Sequence, residues 1–226
     1  MILRLALASL FARALTVGMT ILAIALSVAL FLGVEKIRTS AKASFTNTIS
    51  GTDLIVGARS GSVQLLLYSV FRIGNATNNL TWQSYQDIAA RADVAWAVPI
   101  SLGDSHRQFR VMGTTVAFFE HYKYRKSRAL ALTDGVIISD LFDTVVGSDV
   151  AKSLKYSVGD RNIIAHGLAS FTEHKDQPFR VSGILEKTGT PVDRTVIVNM
   201  EAIEAIHVDW KSGAKTPGQS TPVDVI

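Results

Sequence analysis

"FRVSGILEKTGTPVDRTVIVNMEAIEAIHVDW" (179–210) reads from left to right as strand, loop, strand and helix. The segments PFRVSGILEK (178–187) and RTVIVNM (194–200) are short runs of β-branched and aromatic residues, which suit a pleated, buried surface. Between them Gly189 admits a positive φ and Pro191 fixes its own, so the connection is expected to be a tight turn. Asp193 is placed to accept hydrogen bonds from backbone N–H groups of that turn, and Arg194 is expected to pair with a carboxylate. EAIEAIHVDW (201–210) then changes to helical spacing. This end of the chain therefore belongs to a mixed sheet-and-helix domain, an α+β fold.

Working back toward the N-terminus, the same alternation continues. TDLIVGA (52–58) is expected to be a strand, and residues 60–74 a helix with Val63, Leu66, Leu67, Val70 and Phe71 on one face. A second helix follows with Thr81 as its N-cap. Strands are expected at 94–101 and 106–115, joined by a turn at 103–105, then a short helix at 115–122 and a strand at 135–139. Residues 147–160 hold a helix capped by Ser148, and 162–167 another strand. Trp82, Trp96, Trp210, Phe118 and Phe119 are core residues on this reading, with one or two as a contact surface the alternative. The core domain thus spans 51–210, in one or two lobes, and the Pro/Gly/Ser-rich residues 211–226 form a linker.

Ahead of this domain, residues Ala14 to Val34 carry no charge. At about 1.5 Å per residue the run crosses a hydrocarbon core of about 30 Å, so 14–34 is expected to be a transmembrane helix. Arg4 and Arg13 precede it; Glu35, Lys36 and Arg38 follow it. The short leading segment favours an N-terminus in the cytoplasm, with residues 1–13 as an amphipathic helix on membrane lipid. Ala41-Lys42-Ala43 fits a signal-peptidase site, but the apolar run exceeds the roughly 7–15 residues of a signal peptide, and the site lies past three charges. An uncleaved anchor is the better reading. Residues 35–50 continue outward as a stalk helix that Gly51 ends, and Gly18 and Gly33 permit close packing against other membrane helices.

Composition agrees with one membrane segment plus a globular domain: 48% of the 226 residues are hydrophobic, and the mean hydropathy is +0.26. The net charge of +4 is dispersed, without the basic stripe that nucleic acid requires. HYKYRKSR (121–128) is the densest basic patch, a solvated loop whose alternative role is contact with an anionic partner or lipid headgroup. The absence of cysteine excludes disulfides and thiol nucleophiles. Neither a G-x-x-x-x-G-K-[ST] phosphate loop nor a G-x-S-x-G elbow occurs. His166 and His174 flank a polar loop that also holds Glu173 and Asp176, which makes them weak metal candidates, but the spacing fits no metal motif and a solvated loop is the plainer reading. No catalytic residue and no cofactor are expected.

Five segments taken in order carry a resemblance: FARALTVGMTILAIALSVAL (11–30), GTDLIVGARSG (51–61), AVPISLGDSHRQFRVMGTT (97–115), VVGSDVAKSLKYSVGD (145–160) and FRVSGILEKTGTPVDRTVIVNMEAIEAI (179–206). Together they resemble the MacB/FtsX-type ABC transporter permeases. The resemblance implies an N-terminal membrane helix, a MacB-like periplasmic core domain and a non-ATPase role in the bacterial inner membrane. It also implies a separate ABC ATP-binding subunit as partner, and a homodimer or an assembly with another permease chain. The family carries three further membrane helices; no second apolar span follows Met200, so a truncated or split gene product, or a fragment, is expected. The alternative is a membrane-anchored binding or adaptor module without transport activity.

EKTGT (186–190) also resembles the Asp-Lys-Thr-Gly-Thr phosphorylation loop of cation-pumping ATPases, with Glu186 where the aspartate stands. The extra methylene would displace the attacking oxygen, and the loop is expected outside the cell. A turn holding Lys187, Asp193 and Arg194 as an interaction loop is the preferred reading.

Overall fold

Residues 12–74, 78–162, 164, 178–207, 210–211 and 214–215 are described in the computed structural model. The chain divides into two units, one running to Phe45 and one starting at Thr46.

The first unit is built on helix α1, Ala14–Thr48, 35 residues long. Its stretch Ala14–Ala43 is long and apolar enough to cross a membrane by length and composition, with a mean hydropathy of 2.5 over an 18-residue window. The hydroxyls inside it are satisfied locally: Thr20 Oγ1 donates to the Thr16 carbonyl at 2.9 Å and Ser27 Oγ to that of Ala23 at 2.8 Å. That suits a segment with no water to bond. The membrane and stalk segments read from the sequence form one unbroken helix, which stops three residues before Gly51, whose φ is 77°. The amphipathic segment expected at 1–13 lies almost wholly outside the described residues.

The second unit is built on a seven-stranded mixed sheet. Its strands are β1 (Ser105–His106), β2 (Phe109–Thr114), β5 (Leu132–Gly135), β6 (Asp143–Val146), β7 (Arg161–Asn162), β8 (Phe179–Leu185) and β9 (Thr195–Asn199). The order is β1-β2-β9-β6-β8-β5, with β7 also on β8. β9 lies parallel to β2 and antiparallel to β6. Strands β3 (Lys123–Tyr124) and β4 (Arg128–Ala129) form a separate hairpin, as do β10 (Trp210–Lys211) and β11 (Ala214–Lys215).

Side chains alternate between two apolar layers, as the strand period of two requires. Phe109, Val111, Val196, Val198, Val146 and Val181 face one layer, shared with helices α5 (Ser148–Leu154) and α6 (Met200–His207). Met112, Ile197, Val145 and Leu185 face the other, with Phe118 and Phe119 of helix α4 (Ala117–His121). Burial on both faces explains why TVIV in β9 is a continuous apolar run rather than an alternating one.

Several expected elements fall elsewhere. Helix α3 (Trp82–Ala89) forms where expected, the Thr81 side chain accepting a hydrogen bond from the Ser84 amide as N-cap, while the helix expected at 60–74 is the shorter α2 (Ser62–Ser69), which leaves Val70 and Phe71 outside it. Residues 52–58 and 94–101 are extended but are not strands; their nearest ladders are single bridges, Ser50 with Lys123 and Ser101 with Gly113. Pro99 explains part of this, since it has no N–H to give a ladder. The turn expected at 103–105 is at Arg107–Gln108, where Arg107 has φ 55°. Of the strand expected at 135–139 only Gly135 lies in a strand, as the last residue of β5.

Ser148 is the first residue of α5, not its cap; Gly147 holds that position, without a side-chain bond. The helix expected at 201–210 ends at His207, and Trp210 lies in β10. That strand and β11 fall partly within the expected linker. Of the expected strand at 162–167, Asn162 lies in β7 and residues 163 and 165–167 are outside the described residues. Phe118 and Phe119 are buried, but Trp82 is 51% exposed and Trp96 36%, so these tryptophans are not core.

The end of α6 carries a pH-dependent contact. His207 Nδ1 lies 2.5 Å from the Ile203 carbonyl and Nε2 lies 3.5 Å from Asp104 Oδ1. Both ring nitrogens face acceptors, which only the imidazolium can satisfy. Burial pulls the His207 pKa down, but the hydrogen bond to Asp104, its charge and the Ile203 carbonyl outweigh that and leave it raised. A raised folded-state pKa stabilises fully below the unfolded value of about 6.5 and loses that stabilisation as pH rises through the folded value. The stability difference between wild type and His207→Gln, measured by denaturant unfolding, should therefore shrink between about pH 6 and alkaline pH, by no more than about 1 kcal/mol for a partly exposed pair. A difference that is flat or grows with pH would contradict the assignment.

Candidate functional site

The loop between β8 and β9 is organised by a buried carboxylate. Asp193 is 2% exposed. Its Oδ1 accepts hydrogen bonds from the Thr188 amide and the Thr188 hydroxyl, both at 2.8 Å. Its Oδ2 accepts from the Gly189 amide at 2.7 Å and lies 3.4 Å from Lys187 Nζ. Gly189 has the positive φ the turn needs, 74°. Thr190 caps the 3-10 helix Pro191–Arg194, its hydroxyl accepting from the Val192 amide, with Pro191 at the first turn where a missing N–H costs nothing. The Thr188 and Thr190 hydroxyls are 2.7 Å apart, and Tyr122 donates to Thr190 Oγ1 at 3.4 Å.

This arrangement decides what the loop can do. A carboxylate has about four lone-pair positions, and two backbone amides, a hydroxyl and an ammonium fill those of Asp193. Nothing is left to take a phosphoryl group or a cation. Glu186, at the position compared with the pump aspartate, is exposed and donates its amide to the Ala131 carbonyl at 2.9 Å as an extension of the β8–β5 ladder. The loop is a structural clamp whose outer surface is Glu186, Lys187, Gly189 and Arg194.

Of the three residues grouped from the sequence, the fold brings two together. Lys187 reaches both Asp193 and Asp149 Oδ1, the latter at 2.5 Å, in the first turn of α5. The hydrogen bond to Asp149 is the main cause of a raised Lys187 pKa, so this ammonium is charged throughout the physiological range. Among the described residues Arg194 pairs with no carboxylate. Its guanidinium lies 5.1 Å from the centre of the Phe109 ring, an exposed cation on an aromatic face. His166 and His174 lie outside the described residues; among the described residues no group of His, Asp and Glu could hold a metal ion.

A second buried carboxylate was not singled out from the sequence. Asp143 opens β6 and is 1% exposed. It accepts from the Ser139 amide and hydroxyl, the Asp140 amide and, at 2.9 Å, Arg180 Nη2. Burial works to raise its pKa, but the bonds from Arg180, Ser139 and Asp140 win and hold it below the usual carboxylate range. The i, i−4 spacing of Ser139 and Asp143 before a β-branched pair was the only available hint.

An apolar N-terminal helix followed by a mixed sheet with helices on both faces defines a membrane-linked α+β domain without a reaction centre among the described residues. Residues 17–218 match the family profile of the MacB-like periplasmic core domain. The chain belongs to that family, a periplasmic domain of ABC transporter permeases. Among solved structures, the periplasmic region of MacB from Actinobacillus actinomycetemcomitans is similar at 13% identity, over 55% of this chain and 57% of that one, with a TM-score of 0.38. A domain from Porphyromonas gingivalis described as a permease is similar at 10% identity, over 46% and 44%, with a TM-score of 0.32. The chain thus spans about half the length of these solved relatives. No curated protein matches it.

Proposed function

We propose that this chain is the anchored periplasmic core of the membrane-spanning, non-ATPase subunit of a MacB/FtsX-type ABC transporter. In this reading α1 crosses the bacterial inner membrane with its N-terminus in the cytoplasm. A separate ABC ATP-binding subunit hydrolyses ATP, and the periplasmic domain moves in response, for transport or mechanotransmission. Copies pair as a homodimer or with another permease chain. The reading is supported above all by the family match, which starts inside the apolar helix and runs through the whole sheet domain.

The test is co-expression of the full-length gene with the ATP-binding protein encoded beside it. Co-purification in mild detergent, with ATP turnover that changes when the chain is present, is the expected result. A chain that purifies alone and leaves turnover unchanged would leave only the adaptor reading. The exposed side of the β8–β9 loop is proposed as a contact with a partner. Arg194→Glu should weaken co-purification several-fold while leaving the melting temperature within a few degrees; unchanged co-purification counts against the contact.

A further inference from the structure

A cavity of about 90 Å³ lies within the second unit, beside the stretch from Thr48 to Ile55. One water needs roughly 10–15 Å³ of such space, so the cavity has room for a small organic group. Its walls are mainly apolar, with Ile49, Ile55, Val70, Phe118 and Val192 among them. Among the described residues that line it the one cation is Arg72.

Arg72 is unusually placed. It follows α2 at φ 61°, a left-handed conformation that helix ends usually give to glycine or asparagine. Its Nη1 donates to the Ser69 carbonyl and its Nη2 lies against Met112 Sδ, a weak acceptor. Its Nε is buried and has no hydrogen-bond partner. Among the described residues no carboxylate pairs with it; the ionisable groups that act on it are the phenols of Tyr122 and Tyr68. Burial lowers its pKa to about 10, which still leaves it charged at neutral pH. A half-buried guanidinium with an unused buried donor and no counter-charge among the described residues is costly, and a backbone held left-handed to keep it there points toward a ligand rather than toward stability.

We propose that this cavity is a binding site for a small monocarboxylate with a short apolar tail, the carboxylate paired with Arg72 and the tail against Ile49, Ile55 and Phe118. The carboxylate supplies the counter-charge that none of the described residues provides, and guanidinium and carboxylate match in geometry. The apolar walls select against inorganic anions, which would remain unsolvated on their far side. The site does not depend on the transport reading; it stands on the cavity and Arg72 alone.

The test is calorimetric titration of the full-length chain in nanodiscs with sodium hexanoate, at ionic strength matched with NaCl. Hexanoate should bind saturably at one site per chain and raise the melting temperature. Hexanamide, with the same tail and no charge, and inorganic phosphate, with charge and no tail, should do neither. Arg72→Met should weaken hexanoate binding at least tenfold and, by removing the unpaired charge, raise the melting temperature of the unliganded protein. Ile100→Trp, at a cavity-lining position that is 41% exposed and tolerant of change, should also weaken binding by filling space. Absence of saturable hexanoate binding, equal binding of hexanamide or phosphate, or full binding by both variants would overturn the proposal. A lower melting temperature in Arg72→Met would overturn it too, since Arg72 would then be satisfied by the protein.

Discussion

Asp193→Ala is expected to lower stability by about 3 kcal/mol, because it strands the Thr188 amide and hydroxyl inside the protein and takes the acceptor from the Gly189 amide. The Thr188 and Gly189 amides and the Thr188 hydroxyl all end on this carboxylate, and Thr188 is 2% exposed, so water does not replace the lost acceptor freely. For a domain of this size the loss corresponds to a fall of roughly 6–12 °C in melting temperature. Asp193→Asn separates shape from charge. One oxygen still accepts from Thr188, but the amide nitrogen then meets the Gly189 N–H donor to donor, so a loss of about 2 kcal/mol is expected. Thermal unfolding followed by tryptophan fluorescence of the full-length chain checks both. If Asp193→Ala melted within about 2 °C of wild type, the carboxylate would not be organising the loop.

That clamp was half legible in the sequence. Gly189 and Pro191 announced a turn because their backbone chemistry is local, and Asp193 could be assigned to turn amides on the same ground. The partners Asp149 and Phe109 could not be found, since they are brought in by strand order and not by spacing. Arg194 shows the limit well: charge suggested a carboxylate, whereas packing of β9 beside β2 put the Phe109 ring beneath it. The same division runs through the fold. Long apolar runs such as α1 and β9 declare themselves. β6, at the centre of the sheet, is the four residues DTVV and shows no alternation, because both its faces are buried and its first residue is a bonded carboxylate. Conversely TDLIVGA has strand composition but pairs with no strand among the described residues, and Leu54 is 76% exposed there. Propensity describes what a segment tolerates; pairing decides what it becomes.

Gly147→Ala is expected to cost about as much as loss of the Asp193 carboxylate, for a reason independent of backbone freedom. Gly147 has φ −66°, which any residue adopts. What matters is the close approach of the loop. A Cβ at this position would press on the Val192 and Asp193 carbonyl oxygens and fall 2.5 Å from the Asp193 carbonyl carbon, inside the 3.0 Å that real Cβ atoms respect. The obstacles are backbone atoms and have no rotamer with which to move aside. The 3-10 helix must therefore back away from the start of α5, at about 3 kcal/mol, the upper part of the overpacking range. Gly103→Ala, with nothing within 4 Å of its Cβ, is the control and should change stability by no more than about 0.5 kcal/mol. The two large effects act on one loop, so they should not add. Once Gly147→Ala has displaced the 3-10 helix, the Asp193 bonds are already weakened, and the double variant should be more stable than the sum of the single losses predicts by about 1 kcal/mol or more. Strict additivity in the melting data would mean that the α5 contact and the carboxylate clamp are separate devices that share only a stretch of chain.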